Sequence, residues 1–382
     1  MAKFDNSRQL VPRFLIFFLV LLTSGCGNTQ PVRIGFTAEL TGKQSELGIN
    51  LRNGVQMAVE EINDAGGING RKIELIIEDD LGTPEGAVKA ENKIIDAGVV
   101  AVIGHLTSNQ TVEGYKVTQA RGVVLFSGTA STSFLSGKKD LFFRTEPSNE
   151  YFGREFARYV RQQRGLSKIA IIYDKDNDTY SESMSEAFTD SFTGLGGEVT
   201  ISLSFSGVTS PDFSPIVAEM QASNPEGVYI IASPLNTANI AQIIRLKDWQ
   251  VPLFAAPWSQ GQDLITNGGK AVEGLETIIA YDINGSSPAL QAVKEKYEKR
   301  YAQPPAFTAM FGYELMQMLA EALKKSDGNA LGLPEALLQL KEFQGLEGPI
   351  QMDEYGDAMR PLFIQRLNNN RFETIETVEP VP

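Results

Sequence analysis

Residues Ala97–Phe134 read AGVVAVIGHLTSNQTVEGYKVTQARGVVLFSGTASTSF, and this stretch decides the fold. Two short apolar runs, Val99–Ile103 and Val123–Phe126, each empty into a loop of glycine and hydroxyl residues. Between them, Asn109–Arg121 has helical length. Continuous apolar runs of this length suit strands covered on both faces, hence a parallel sheet with helices outside it. In open parallel sheets, ligands bind beyond the carboxyl ends of the strands. The loops Leu106–Asn109 and Ser127–Ser133 lie at such ends. Their hydroxyls, with backbone N–H groups, suit a carboxylate or similar anion. Loops are also commonly rich in Ser and Thr, and Ser108 has the character of an ordinary helix N-cap.

Outward from this unit the alternation continues. Strands are expected at Val32–Thr37, Ile73–Ile77, Lys168–Tyr173, Val199–Phe205, Val228–Ala232, Leu253–Ala256 and Glu276–Tyr281. Helices are expected at Glu46–Asp64, Pro84–Ala97, Ser181–Leu195, Asp212–Ser223 and Asn236–Asp248. Such a βα series marks doubly wound α/β architecture. It then breaks into two long helices, Pro288–Tyr301 and Phe307–Lys325, and three late strands, Pro349–Met352, Leu362–Arg366 and Phe372–Thr377. Phe311, Met316, Met318 and Leu319 recur at helical spacing and read as core. Polar, turn-rich boundaries fall near Thr145-Glu146-Pro147, Asp282–Ser287 and Asp353–Asp357. They suggest one lobe from 32–146 plus 283–357 and a second from 147–282 plus 358–382, with three crossings between them. Such a hinge permits closure about a ligand.

The 382 residues carry 34 basic and 47 acidic side chains, a net charge of −13. That balance disfavours nucleic acid and anionic membrane surfaces as partners. With one Cys and one His, there is neither an internal disulfide nor a Cys/His metal site. No cofactor is implied, since no G-x-x-x-x-G-K-[ST] loop occurs. The first 25 residues read as an export signal: Lys3, Arg8 and Arg13, then the apolar Phe14–Leu22, then small residues. Thr23-Ser24-Gly25-Cys26 resembles a bacterial lipobox, with Thr23 where Leu is preferred. Acylation of Cys26 would leave residues 26–31 as a tether, anchoring the chain at the outer face of a membrane or in the periplasm.

A family likeness then emerges. Ile34-Gly35, Leu40-Thr41-Gly42, Asn53-Gly54 and the run AGGINGRKIEL over Ala65–Leu75 carry its first part. Asp79-Asp80, Val102-Ile103-Gly104-His105, and Ile169–Asp174 with Tyr180 carry the rest. Together they resemble the leucine/isoleucine/valine-binding proteins, type I periplasmic binding proteins of ABC importers. The resemblance implies two α/β lobes, a monomer, and an ABC permease and ATPase as partners. It implies ligand contacts from Ser108 and from Thr129, Ala130 and Ser131, with Tyr180 as an aromatic cover. Ser233–Asn236 stands where the family places an aromatic wall and holds no aromatic. At Pro257-Trp258-Ser259 the family pattern has a Glu after the Pro, pairing with the ligand's ammonium, whereas this chain has Trp258. An indole stacks or covers a cation for roughly 0.5–2 kcal/mol. It does not supply the charge-assisted bond of a carboxylate. Two ligand classes therefore stay open: a carboxylate with an apolar or aromatic tail, or an amino acid held by a relocated acid such as Glu39, Asp176, Asp178, Asp263 or Asp282.

Two other functions compete. A cell-envelope hydrolase would need a positioned His, and His105 is the only one, without a G-x-S-x-G elbow; enzymatic activity is not expected. A sensor signalling to a membrane receptor would use the same cleft, and gene neighbours would separate it from transport.

Overall fold

The computed structural model describes residues 1–3, 30–206 and 212–380. Beyond its first three residues, the segment read as an export signal lies outside them, as do Cys26 and the tether up to residue 29. The chain opens with β1 (Val32–Ala38), α1 (Ser45–Asp64), β2 (Ile73–Asp79), α2 (Pro84–Asp96), β3 (Ala101–Ile103), α3 (Ser108–Arg121), β4 (Val124–Ser127) and β5 (Phe142–Arg144). These strands form a parallel sheet ordered β2-β1-β3-β4-β5. Val102, Ile103, Leu125 and Phe126 are fully buried, as strands covered on both faces must be. Burying each such side chain contributes about 1.5–3 kcal/mol relative to leaving it exposed. Helix ends follow local chemistry. Thr83 caps α2 by accepting from the Gly86 N–H at 3.0 Å, and Gly122 ends α3 in the left-handed region at φ 68°.

The second body holds α4 (Asn149–Arg158), β6 (Lys168–Asp174), α5 (Asp178–Gly194), β7 (Glu198–Phe205), α6 (Ser214–Ala222), β8 (Gly227–Ile231), α7 (Pro234–Leu246), β9 (Leu253–Ala255), α8 (Gln262–Gly268) and β10 (Glu276–Ile279). The chain then returns through α9 (Pro288–Tyr301), α10 (Phe307–Lys325), α11 (Leu333–Leu338), β11 (Glu342–Gln344), β12 (Pro349–Met352) and β13 (Ala358–Met359). It crosses a third time into β14 (Leu362–Asn368) and β15 (Arg371–Val378). The second sheet runs β15-β14-β10-β9-β8-β6-β7. Its β10-to-β7 portion is parallel, but β14 and β15 are antiparallel, because a tight turn joins them. A small antiparallel sheet, β11-β12-β13, adjoins the first body.

Helix α4 has no counterpart in the sequence reading, where the linker-like Thr145-Glu146-Pro147 obscured its start. Its inward residues Tyr151, Phe152, Phe156 and Ala157 are buried. The short β5, α8, α11, β11 and β13 likewise have no counterpart there, each offering too few residues for periodicity to register.

Candidate functional site: a cavity between the two sheets

Loops at the carboxyl ends of strands from both sheets converge on one small cavity of about 40 Å³. Ser108, Thr129, Ser131, Tyr180 and Trp258 all line it. Ala130 does not: it is fully buried, its N–H donates to Ser127 Oγ at 3.1 Å, and its carbonyl accepts from Arg144 at 3.4 Å. The tight loop after β4 turns that peptide inward, so only the residues flanking it face the space.

Ser108 starts α3, whose N-cap Thr107 makes no side-chain capping bond. The Oγ of Ser108 and the Oγ1 of Thr107 are buried without hydrogen-bond partners, and both residues line the cavity. A hydroxyl and a helix N-terminus facing one space favour an anion. The Thr129 hydroxyl braces this arrangement, donating to the carbonyls of His105 (3.0 Å) and Leu106 (2.7 Å).

Beneath the loop, His105 is fully buried between two acids, with Nδ1 2.6 Å from Asp80 and Nε2 3.2 Å from Glu91. Glycine at 114 makes room for it, since a Cβ there would lie 2.2 Å from Nε2. His105 does not line the cavity; it fixes the loop that does. Burial opposes its charge, but hydrogen bonds to Asp80 and Glu91 outweigh burial and raise its pKa to about 9. The folded pKa lies above the unfolded one, so the stability it contributes is fully present below pH about 6.5 and lost as pH rises through about 9. Denaturant titrations of the parent between these pH values should therefore lose on the order of 2–3 kcal/mol, and His105→Gln should flatten that slope. An equal slope in both would assign it elsewhere.

Tyr180 and Trp258 meet edge to face with ring centroids 5.6 Å apart. Burial holds the Tyr180 phenol protonated, and the Trp258 N–H donates to its hydroxyl at 3.4 Å. Trp258 also reaches across the cleft: its Nε1 donates to Gln44 Oε1 at 2.7 Å. A second bridge joins Asn109 on the first body to the second, donating to Asn177 Oδ1 (3.2 Å) and the Asp176 carbonyl (3.1 Å) and accepting from the Thr179 N–H (3.0 Å). The two bodies are thus latched at the cleft rim.

The apolar wall comes from Leu47 on α1, Leu106, and Phe307 and Phe311 on α10. Phe311 is therefore both core and cavity lining, where helical spacing had shown only core. Ser233 instead caps α7 by accepting from the Asn236 N–H. None of Glu39, Asp176, Asp178, Asp263 and Asp282 lines the cavity. The acid that does is Glu146, on the first crossover, which the sequence reading treated only as a boundary.

A family model described as periplasmic binding protein matches residues 31–371. The chain belongs to the periplasmic binding protein family. It is 26% identical over 337 residues to Leu/Ile/Val-binding protein homolog 1 of Brucella suis biovar 1, covering 87% of this chain and 89% of that one. It is 25% identical over 345 residues to the Leu/Ile/Val-binding protein of Escherichia coli (strain K12), covering 89% and 91%. The crystal structure of the leucine-binding protein LivK from Thermotoga maritima superposes with a TM-score of 0.85 at 25% identity, covering 91% of this chain and 99% of that one. The two α/β lobes with an inter-lobe cleft are thus the family architecture, and its members are extracytoplasmic solute-binding proteins.

Proposed function

We propose that this protein captures an amino acid or related small carboxylate between its lobes and delivers it to the permease and ATPase of an ABC importer. The observation that carries this reading is Ser108 Oγ, buried and unpartnered at the start of α3, in a cavity that both lobes line. The names of the Leu/Ile/Val-binding relatives support the ligand class.

In this reading Ser108 and Ser131 take the carboxylate and Thr129 holds their loops together. Tyr180 and Trp258 then close over the solute. The lobes, 32–146 with 283–357 and 147–282 with 358–382, move as rigid bodies about the three crossovers. The ligand shifts the open–closed equilibrium by the contacts it makes only in the closed form. The chain acts as a monomer, without enzymatic turnover. It is exported by residues 1–25 and held at the membrane through acylated Cys26.

A thermal-shift screen over amino acids, keto acids, aromatic acids and amides identifies the solute, because binding stabilises by RT ln(1 + [L]/Kd). With that solute, Ser108→Ala should weaken binding by roughly 1–3 kcal/mol in calorimetry, one charged hydrogen bond being lost. Parent-like affinity in both Ser108→Ala and Ser131→Ala would remove the carboxylate cradle.

A further inference from the structure

The floor of the cavity carries a charge arrangement that chooses between the two open ligand classes. Among the described residues that line the cavity, Glu146 is the only carboxylate. It is 4% exposed, and its Oε2 has no hydrogen-bond partner. It sits on the first crossover, beside two buried cations that already have partners. Arg144 pairs with Asp357 at 2.8 Å and Arg360 with Glu314 at 2.9 Å. Each cation thus already has an anion of its own, and Glu150 near Arg144 and Glu347 near Arg360 add further negative charge, so neither arginine is left over for Glu146. The phenol of Tyr180 also feels Glu146, and burial keeps it neutral.

An ionised Glu146 therefore adds one uncompensated negative charge to a desolvated space, which is strongly unfavourable without a cation beside it. We propose that Glu146 receives the ammonium of the bound solute, so that the ligand class is the α-amino acid and not its deaminated carboxylate. The inference rests on the solute-binding reading above and assigns the second pole of that site. The solute's carboxylate meets Ser108, Ser131 and the start of α3. Its ammonium meets Glu146 on the hinge, and its side chain faces Leu47, Phe307 and Phe311. A deaminated acid would bring a second negative charge to the space and leave Glu146 protonated.

Burial pushes the free Glu146 carboxyl up to about 8, opposed by Arg360 and Arg144 and reinforced by Glu314. The unliganded protein accordingly holds a proton there at pH 7, and an arriving ammonium expels it.

The experiment is calorimetry on the full chain with the proteinogenic L-amino acids and their 2-deamino counterparts, on the parent and on Glu146→Gln. The parent should prefer the amino acid by about 30-fold or more, and the variant should narrow that preference to within about 3-fold, one charge-assisted bond being lost. At pH 7, the parent should release nearly one proton per amino acid bound, read from buffers of different ionisation enthalpy. Its affinity should also rise close to tenfold from pH 6 to pH 7, since only the ionised carboxyl pairs with the ammonium. The parent's own preference between the two series needs no variant and is read even if Glu146→Gln does not fold. A variant that keeps the preference overturns the assignment. A parent that favours deaminated acids overturns it while leaving the solute-binding reading intact. If neither series binds, both readings fall.

Discussion

Replacing Arg360 with alanine is expected to lower the unfolding free energy by about 3–5 kcal/mol, because it strands a buried carboxylate. Arg360 and Glu314 are both almost fully buried and joined at 2.9 Å. The guanidinium also lies over the rings of Tyr281 and Phe311, 5.7 and 5.6 Å from their centroids. Its Coulomb attraction helps Glu146 ionise, so the variant should also push the Glu146 carboxyl higher. Leucine at 314 combined with methionine at 360 removes both charges and should recover most of the loss, since paired apolar replacement of a buried ion pair is often neutral. Urea unfolding of the parent, both single variants and the pair measures this. A loss below about 1 kcal/mol in Arg360→Ala would show that water reaches the hinge charges and screens them.

Gly54→Val is expected to destabilise the first lobe by about 3 kcal/mol, at the upper end of overpacking effects. Helices α1 and α10 cross in contact there. A Cβ on residue 54 would lie 1.8 Å from the Ala309 carbonyl oxygen, and one on Gly312 would lie 2.3 Å from that of Leu51. Alanine at 54 gains about 1 kcal/mol in helix propensity yet meets the same backbone. It should still be net destabilising, by less than valine. The functional consequence follows from position: Leu47 on α1 and Phe307, Thr308 and Phe311 on α10 line the cavity. Separating the helices moves that wall, so solute affinity should fall together with the melting temperature. Unchanged values of both would mean that the helices adjust without disturbing the wall.

Much of the architecture was legible because its signals are local. Unbroken apolar strands, hydroxyl-rich strand ends, and the helices Pro288–Tyr301 and Phe307–Lys325 all announce themselves within a dozen or so residues. The same holds for Ser108 and Ser131, since a parallel sheet fixes where its carboxyl ends lead. Glu146 was not legible, because a Thr-Glu-Pro run reads as a linker. What makes this acid unusual is its burial beside Arg144 and Arg360, the latter more than two hundred positions away along the chain. Phe307 and Phe311 illustrate a related limit, as helical spacing separates inside from outside but not which inner face borders a cleft. Ala130 shows the opposite limit: being flanked by two lining residues in sequence does not place a loop residue on the same side, and Ala130 lies off the cavity.

The central claim is that a solute is enclosed between the lobes with its negative end on hydroxyls of the first. A crystal structure of the chain with the solute selected by thermal shift tests this most directly. The expected result is a carboxylate about 3 Å from Ser108 Oγ, at hydrogen-bond distance, with Tyr180 and Trp258 over the solute. A solute bound outside the cleft, or inside it but touching neither Ser108 nor Ser131, would contradict the claim.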